Sequence, residues 1–147
     1  MKKINIAVVG CGRIAGHHCR AIKSNDNFNL VAVCDLDKSK SDVYSKEFDA
    51  LSYDNYEKML SKNKDIDIVT ISTPSGMHYE HSCEIIKNYQ KNIIVEKPTF
   101  MTPSQIRNAF DLANKNNVTI FPVFQNRYNI AVQRVKKSIE TGELGDV

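Results

Sequence analysis

The stretch VVGCGRIAGHH, residues 8 to 18, decides the fold of this chain. An apolar run over residues 4–9 leads into it, and a helix-type pattern follows it. Gly10 permits a tight turn after the strand, and Gly12 lets the backbone approach a phosphate closely. The small Ala15 allows the helix to pack closely on the strand. The stretch therefore predicts a strand, a phosphate-binding turn and a helix, although glycine turns also occur for structural reasons alone.

A carboxylate further along the chain supports a dinucleotide at this turn. Asp35 lies 25 residues after Gly10, at the end of the second apolar run, where an acid binds ribose hydroxyls. The N–H groups of Arg13 and Ile14 are expected to face the phosphates at the helix N-terminus. Because a carboxylate repels a 2′-phosphate, NAD is favoured over NADP. NADP stays possible, since Ala15 stands where a third glycine is usual.

Short apolar runs alternate with helix-type stretches along the whole chain. Most of the runs are continuous and rich in Val and Ile, which is typical of strands covered on both faces of a parallel sheet. The predicted fold class is α/β: a Rossmann doubly wound parallel sheet of about six strands, in the order 3-2-1-4-5-6, with helices on both faces. The predicted strands cover residues 4–9, 30–34, 50–53, 66–72, 92–95 and 118–124.

The later helices are predicted from their caps and apolar faces. Thr102 is expected to cap a helix that has Pro103 at its first position. A last helix is expected over residues 128–141, ending at Gly142. Pro122 suits an edge strand, because proline has no N–H to donate to a neighbouring strand. The residues expected to be buried on these two helices are Ile106, Ala109, Phe110 and Ala113, and then Val132, Val135 and Ile139.

Composition and charge exclude several classes of protein. The net charge is +3, and the 20 basic and 17 acidic residues are interspersed, which argues against binding to nucleic acid or to a membrane. The four cysteines have no CxxC spacing, so a zinc site is not indicated and reduced thiols in the cytoplasm are expected. Cys11 is either redox-sensitive or simply a small side chain between glycines. His78 and His81 alone do not make a metal site.

Polar clusters follow three of the predicted strands. The fourth strand ends in TISTPSGMHYEH, the fifth in Glu96-Lys97-Pro98, and the sixth in FQNRYN. In an open parallel sheet the carboxyl ends of the strands meet at one edge, which forms the ligand crevice. The residues predicted to line this crevice are Thr73, Pro74, Ser75, His78, Glu96, Lys97, Asn126 and Arg127.

Five stretches together resemble the glucose–fructose oxidoreductase / inositol dehydrogenase (Gfo/Idh/MocA) family. They are GCGRIAGHHCRAI, VAVCDLD, ISTPSGMHYEH, VEKPTFMT and QNRYNIAVQRVKKSIETGELGDV, and the similarity runs along essentially all 147 residues. The EKP tripeptide is the most specific mark of the family. The resemblance implies an NAD(P)-dependent sugar or polyol dehydrogenase. The wording of ISTPSGMHYEH and VFQNRYN is similar to members that act on nucleotide-activated sugars.

The resemblance also implies a role for each site residue. Lys97 is expected to be the catalytic residue of this part of the enzyme, reaching both the substrate and the nicotinamide side of the cofactor. The residues implied to bind the pyrophosphate are Gly10, Gly12, Arg13 and Ile14, and Asp35 binds the adenosine ribose. Thr73, Pro74, Ser75 and His78 line the path to the nicotinamide, Glu96 approaches its ribose or steadies Lys97, and Asn126 and Arg127 close that end. No metal is implied.

Members of this family continue into a second, α+β domain that holds the substrate and supplies further acid–base residues. The present chain, residues 1–147, is therefore expected to be the cofactor half alone, able to bind NAD without turnover, and the parent enzyme is expected to be a homo-oligomer in the cytoplasm. One alternative is a module that senses NAD(H) and has no chemistry of its own. Another is a methyltransferase-like nucleotide binder, which gives no reason for Glu96-Lys97-Pro98.

Overall fold

A single six-stranded sheet organises the chain. The structure is a computed structural model, and it describes residues 2–146. Every neighbouring pair of strands is parallel and the order is 3-2-1-4-5-6, as predicted. The strands are β1 (Ile4–Val9), β2 (Phe28–Cys34), β3 (Leu51–Tyr53), β4 (Ile68–Ile71), β5 (Asn92–Val95) and β6 (Ile120–Pro122).

Six α-helices and two short 3₁₀-helices connect and follow the strands within residues 2–146. The α-helices are α1 (Ala15–Lys23), α2 (Lys38–Phe48), α3 (Tyr56–Lys62), α4 (His78–Tyr89), α5 (Pro103–Lys115) and α6 (Ile130–Glu140). The 3₁₀-helices are Ser75–Met77, which leads into α4, and Gln125–Tyr128, which leads into α6. Among the described residues, no helix has both the length and the apolar character that crossing a bilayer requires.

The observed strands differ from the predicted ones at their ends. β2 begins at Phe28, two residues before the predicted start, while β4 and β6 are shorter than predicted at both ends. β6 stops at Pro122 and lies at an edge of the sheet, which confirms the edge position predicted from the proline. Proline has no N–H to donate, and the next residue, Val123, donates to the Val95 carbonyl oxygen of β5 at 2.9 Å.

Side chains along β1 alternate between the two faces of the sheet, and both faces are buried. Ile6 and Val8 pack with α1 and α2, whereas Ala7 and Val9 pack with α3, α4 and α5. Burial on both sides explains why the strand sequences are continuously apolar, and it confirms the doubly wound architecture. As a result, the carboxyl ends of the strands are the part of the sheet open to a ligand.

The start of α5 confirms the predicted cap. The Thr102 side chain accepts a hydrogen bond from the Gln105 N–H and the Gln105 side chain bonds back, with Pro103 at the first position. The predicted apolar face is only partly buried: Ala109 and Ala113 are buried, whereas Ile106 is 42% exposed.

The helix α6 corrects the prediction for the end of the chain. It begins at Ile130 rather than at residue 128, because residues 125–128 form the 3₁₀-helix and the Asn129 side chain caps the first turn. Its apolar residues were predicted to be buried, and that prediction was wrong: Val132, Val135 and Ile139 are 46%, 53% and 46% exposed. The helix packs mainly on the preceding 3₁₀ turn, so its apolar stripe faces away from the core.

Candidate functional site

The turn after β1 needs glycine at its first position for two separate reasons. Gly10 has φ +94°, a conformation that L side chains rarely adopt. A Cβ there would also lie 2.6 Å from the Ser72 carbonyl carbon and 2.7 Å from the Thr73 nitrogen. The chain therefore passes directly against the end of β4 at this point, which brings the two strand ends together.

Gly12 is different, because a Cβ at this position would meet no protein atom within 4 Å. The protein itself therefore gives no packing reason for glycine there. The open space in front of the turn is what a close-lying ligand would fill. This geometry fits the predicted role of Gly12 in admitting a phosphate group to the backbone.

Other groups of the same turn are bonded within the protein. The Gly10 carbonyl oxygen accepts from Ser72 Oγ at 2.7 Å, and the Gly12 carbonyl oxygen accepts from the Tyr44 hydroxyl at 2.9 Å. By contrast, within residues 2–146 the N–H groups of Gly12, Arg13 and Ile14 donate to no protein acceptor. These unpartnered donors precede α1, where the helix dipole is positive, so the turn fits a pyrophosphate.

Asp35 ties the end of β2 to this turn. Its Oδ2 accepts from the Cys11 N–H at 2.8 Å, and its Oδ1 accepts from the Asp37 N–H at 2.9 Å. Each carboxylate oxygen has two lone-pair directions, so the group keeps capacity for two further hydrogen bonds. The carboxylate can thus hold the turn and still accept from a pair of ribose hydroxyls.

Asp35 lines the larger of two cavities at this edge, with a volume of about 480 Å³. Lys40 and Tyr56, which also line it, were not predicted from the sequence because both lie outside the motifs along the chain, and His81 was considered only as a metal ligand. The residues lining this cavity are Val9, Gly10, Gly12, Cys34, Asp35, Leu36, Lys40, Asp54, Asn55, Tyr56, Ser72, Thr73, Pro74, Met77 and His81.

A second cavity of about 300 Å³ lies on the other side of the turn between β4 and α4. Ser72, Thr73 and Pro74 border both cavities, so this turn separates them. The residues lining the second cavity are Arg13, Ile14, His17, Ser72, Thr73, Pro74, Ser75, His78, Glu96 and Lys97. The structure thus brings together eleven of the predicted site residues, from the ends of β1, β2, β4 and β5, around one pair of adjoining cavities.

The tripeptide after β5 places its two charges in different surroundings. The Glu96 carboxylate is buried: Oε1 accepts from His18 Nε2 at 2.8 Å and Oε2 accepts from the Lys97 N–H at 3.1 Å. It therefore faces α1 and the main chain rather than the Lys97 ammonium group, which corrects the expectation that Glu96 steadies that ammonium group. Lys97 is exposed on the second cavity, and the Lys97–Pro98 peptide bond is cis.

His78 is the first residue of α4 and is only 1% exposed. Its two ring nitrogens lie 2.9 Å from the carbonyl oxygens of Thr73 and Pro98. Both nitrogens are therefore engaged with main chain. The neighbouring His81 lies 3.1 Å from Thr73 Oγ1, and burial lowers its pKa. In the described part of the chain, His, Cys, Asp and Glu side chains form no group of three able to hold a metal ion.

Asn126 and Arg127 are the two predicted site residues that line neither cavity. Both are exposed on the 3₁₀-helix Gln125–Tyr128, which follows β6. The guanidinium of Arg127 lies 5.4 Å from the centre of the Phe124 ring. Their predicted role at the nicotinamide end therefore stays a prediction.

The cysteines around the turn are free thiols in an apolar setting. Burial is the main cause that raises the pKa of Cys11 and of Cys34 to about 12, and the nearby Asp35 carboxylate adds to it. A thiol reacts as the thiolate, and the raised pKa disfavours the thiolate of Cys11 near neutral pH. This favours the reading of Cys11 as a small packing residue over a redox-sensitive one.

Comparison with known proteins agrees with this geometry. A family model described as Gfo/Idh/MocA, "Oxidoreductase family, NAD-binding Rossmann fold", matches residues 4–124. D-glucoside 3-dehydrogenase of Escherichia coli is 28% identical over 98% of this chain and 41% of its own length. The chain spans less than half the length of the curated relatives it matches first.

Two solved structures share the fold. The WlbA dehydrogenase from Bordetella pertussis, in complex with NADH and UDP-GlcNAcA, has a TM-score of 0.89 and 30% identity, covering 98% of this chain and 44% of that one. A 3-ketoreductase from Actinomadura kijaniata, in complex with NADP, has a TM-score of 0.90 and covers 99% of this chain and 46% of that one. At 18% sequence identity, this likeness is evidence for a shared fold only.

Proposed function

The chain belongs to the Gfo/Idh/MocA oxidoreductase family through its NAD-binding Rossmann fold, and on that premise we propose that it is the cofactor half of a sugar dehydrogenase. The reaction proposed is hydride transfer between a nicotinamide cofactor and a secondary alcohol of a sugar, with a nucleotide sugar favoured. The observation that carries the proposal is the exposed Lys97 on a cavity that adjoins the glycine turn. The relative crystallised with NADH and UDP-GlcNAcA supports the choice of substrate class.

The free main-chain donors support the way in which the cofactor would be held. The N–H groups of Gly12, Arg13 and Ile14 would bind the pyrophosphate, because they lack protein acceptors in residues 2–146 and stand at a helix N-terminus. Asp35 would accept from the adenosine ribose hydroxyls, and its negative charge favours NAD over NADP. Thr73, Pro74, Ser75, His78, Glu96 and Lys97 would border the nicotinamide half, and Asn126 and Arg127 would close it.

When bound, the nicotinamide supplies the hydride chemistry, and the protein's part is to orient the substrate and manage a proton. Lys97 would act at the substrate hydroxyl. Its ammonium group would donate a hydrogen bond to that oxygen and stabilise the negative charge that develops when a base of the proposed second domain takes the hydroxyl proton and the hydride passes to the nicotinamide. The exposed side chain at the mouth of the second cavity can reach a substrate outside this domain.

A second, substrate-binding α+β domain is proposed to complete the enzyme. The apolar stripe of α6 supports this, because Val132, Val135 and Ile139 are about half exposed and a soluble chain rarely leaves such a stripe uncovered. The greater length of the relatives supports it as well. The remaining acid–base residues and the subunit contacts of a homo-oligomer would lie in that domain.

Titration with NADH, followed by cofactor fluorescence, tests the proposal, with S-adenosylmethionine as the competing nucleotide. The chain should bind NADH saturably, and S-adenosylmethionine should not displace it. Incubation with NAD and a panel of UDP-sugars should give no NADH, because the chain alone lacks the second half of the site. Failure to bind NADH would refute the cofactor assignment, and turnover by the chain alone would refute the proposed division between two domains.

A further inference from the structure

The residues before and after Lys97 each form a hydrogen-bond contact with a histidine of another element. Glu96, before it, bonds to His18 of α1, and Pro98, after it, bonds to His78 of α4. Helix α1 follows β1 and helix α4 follows β4, and residues at the start of both helices line the second cavity. The main chain on either side of Lys97 is therefore tied to the glycine turn on one side and to the turn after β4 on the other.

His18 is linked to the Lys97 main chain through the buried carboxylate of Glu96. The side chains of His18 and Glu96 are 17% and 9% exposed, and their Nε2 and Oε1 atoms are 2.8 Å apart. The second oxygen of Glu96 accepts from the Lys97 N–H at 3.1 Å. A buried carboxylate must be hydrogen-bonded, so the bond from His18 keeps Glu96 turned inward, where it can also hold the Lys97 amide.

His78 contacts the main chain through two carbonyl oxygens. A carbonyl oxygen only accepts, so each 2.9 Å contact is a hydrogen bond when the ring nitrogen that faces the carbonyl carries the proton. The Nδ1 contact reaches Pro98, and the Nε2 contact reaches Thr73. The ring thus joins the loop that carries Lys97 to the turn that separates the two cavities.

We infer that His18 and His78 are positioning residues that fix the main chain before and after Lys97, and so set where its ammonium group stands relative to the glycine turn. Neither histidine needs to touch the substrate in order to do this, because each acts through a neighbour of Lys97. The inference deepens the proposed function and rests on it for the role of Lys97. The arrangement itself is a property of the chain without cofactor.

Hydrogen exchange at the Lys97 amide, measured by NMR, tests the His18 side without any ligand. In His18→Leu the amide should exchange roughly fivefold to tenfold faster, the change expected when one hydrogen bond of ordinary strength is lost locally. In His18→Gln a donor remains at the same distance along the side chain, so protection should return. Lys23→Leu is the control on the same helix, since Lys23 is exposed, lines neither cavity and has no hydrogen bond to Glu96 within residues 2–146.

Two amide variants test the His78 side. In His78→Asn the side-chain nitrogen corresponds to Nδ1 and can keep the bond to Pro98, whereas in His78→Gln it corresponds to Nε2 and can keep the bond to Thr73. His78→Gln should therefore accelerate Lys97 exchange more than His78→Asn does. The reverse order, or an unchanged rate in folded His18→Leu, would overturn the inference. If the His78 variants fail to fold, the His18 series decides alone.

NADH titration of the same variants separates this inference from the proposed function. His18→Leu should bind NADH several-fold more weakly than the unmodified chain, and His18→Gln should recover most of the affinity. Equal weakening in both would overturn the positioning role. If the unmodified chain binds no NADH, the proposed function fails, while the exchange rates still decide whether the two histidines hold the Lys97 main chain.

Discussion

A methyl group added at Gly10 should lower the stability of the fold, whereas one added at Gly12 should weaken cofactor binding. At Gly10 the added Cβ meets main-chain atoms of Ser72 and Thr73 at 2.6 to 2.7 Å, in a residue with φ +94°. At Gly12 it meets nothing within 4 Å. The same change, two residues apart, is therefore expected to cost stability in the first case and affinity in the second.

The expected magnitudes follow from these contacts. A left-handed conformation costs an L residue about 1–2 kcal/mol, and crowding against well-packed atoms costs about 1–3 kcal/mol. Gly10→Ala should therefore lose about 2–5 kcal/mol of unfolding free energy, which lowers Tm by roughly 10 °C in a domain of this size. Gly12→Ala should change the unfolding free energy by no more than about 0.5 kcal/mol.

Thermal unfolding followed by circular dichroism, together with NADH titration, measures both effects. Gly12→Ala should weaken NADH binding by at least about tenfold, or ~1.4 kcal/mol. Gly76→Ala is the matched control, because its added Cβ also meets open space and Gly76 lines neither cavity. If Gly12→Ala bound NADH as tightly as the control, or unfolded as readily as Gly10→Ala, the assignment of the turn would be refuted.

Three further changes test other parts of the structure. Burial raises the pKa of Cys11 and Cys34 from 9.0 to about 12, so the unfolded chain loses these protons first. The unfolding free energy should stay constant below pH 9.0 and then fall by ~1.4 kcal/mol per pH unit for each thiol. Urea unfolding at a series of pH values measures this slope, and Cys34→Ala should remove the contribution of one thiol. Asp35→Asn should lower the unfolding free energy by about 1–3 kcal/mol, because the amide has one acceptor oxygen where the carboxylate uses two. In paired titrations, this variant should lose more affinity for NADH than for NADPH, each compared with the unmodified chain. Val135→Ser combined with Ile139→Ser should leave Tm nearly unchanged but reduce binding of an apolar fluorescent dye, whereas a large loss of stability would mean that the stripe is already packed.

The sheet could be predicted because its signals are local. Continuous apolar runs mark strands that are buried on both faces, and the glycine turn marks where the first strand meets the first helix. Pro122 correctly indicated an edge, because the missing N–H is a property of that residue alone. The strand ends were less accurate, since pairing with a neighbour, and not the apolar run, decides where a strand stops.

The burial of α6 was predicted wrongly for a physical reason. Its pattern identifies an apolar stripe, but a pattern does not say what covers that stripe. Val132, Val135 and Ile139 share one side of the helix as expected, yet that side faces away from the sheet. The pattern alone does not distinguish burial against this sheet from burial against another surface.

The histidine contacts were also beyond a reading of the sequence. His18 and Glu96 are 78 positions apart, and nothing near either residue indicates the other. Lys97 was found because it follows a strand that ends at the crevice. The groups that hold it come from other strand ends, and only the packed fold brings them within bonding distance.

Mapping of backbone amide chemical shifts by NMR, on addition of NADH, tests the central claim most directly. The largest shifts should fall on Gly12, Arg13 and Ile14, with further shifts at Asp35 and Lys97, all at one edge of the sheet. Shifts confined to the opposite edge, or no shifts at saturating NADH, would contradict it.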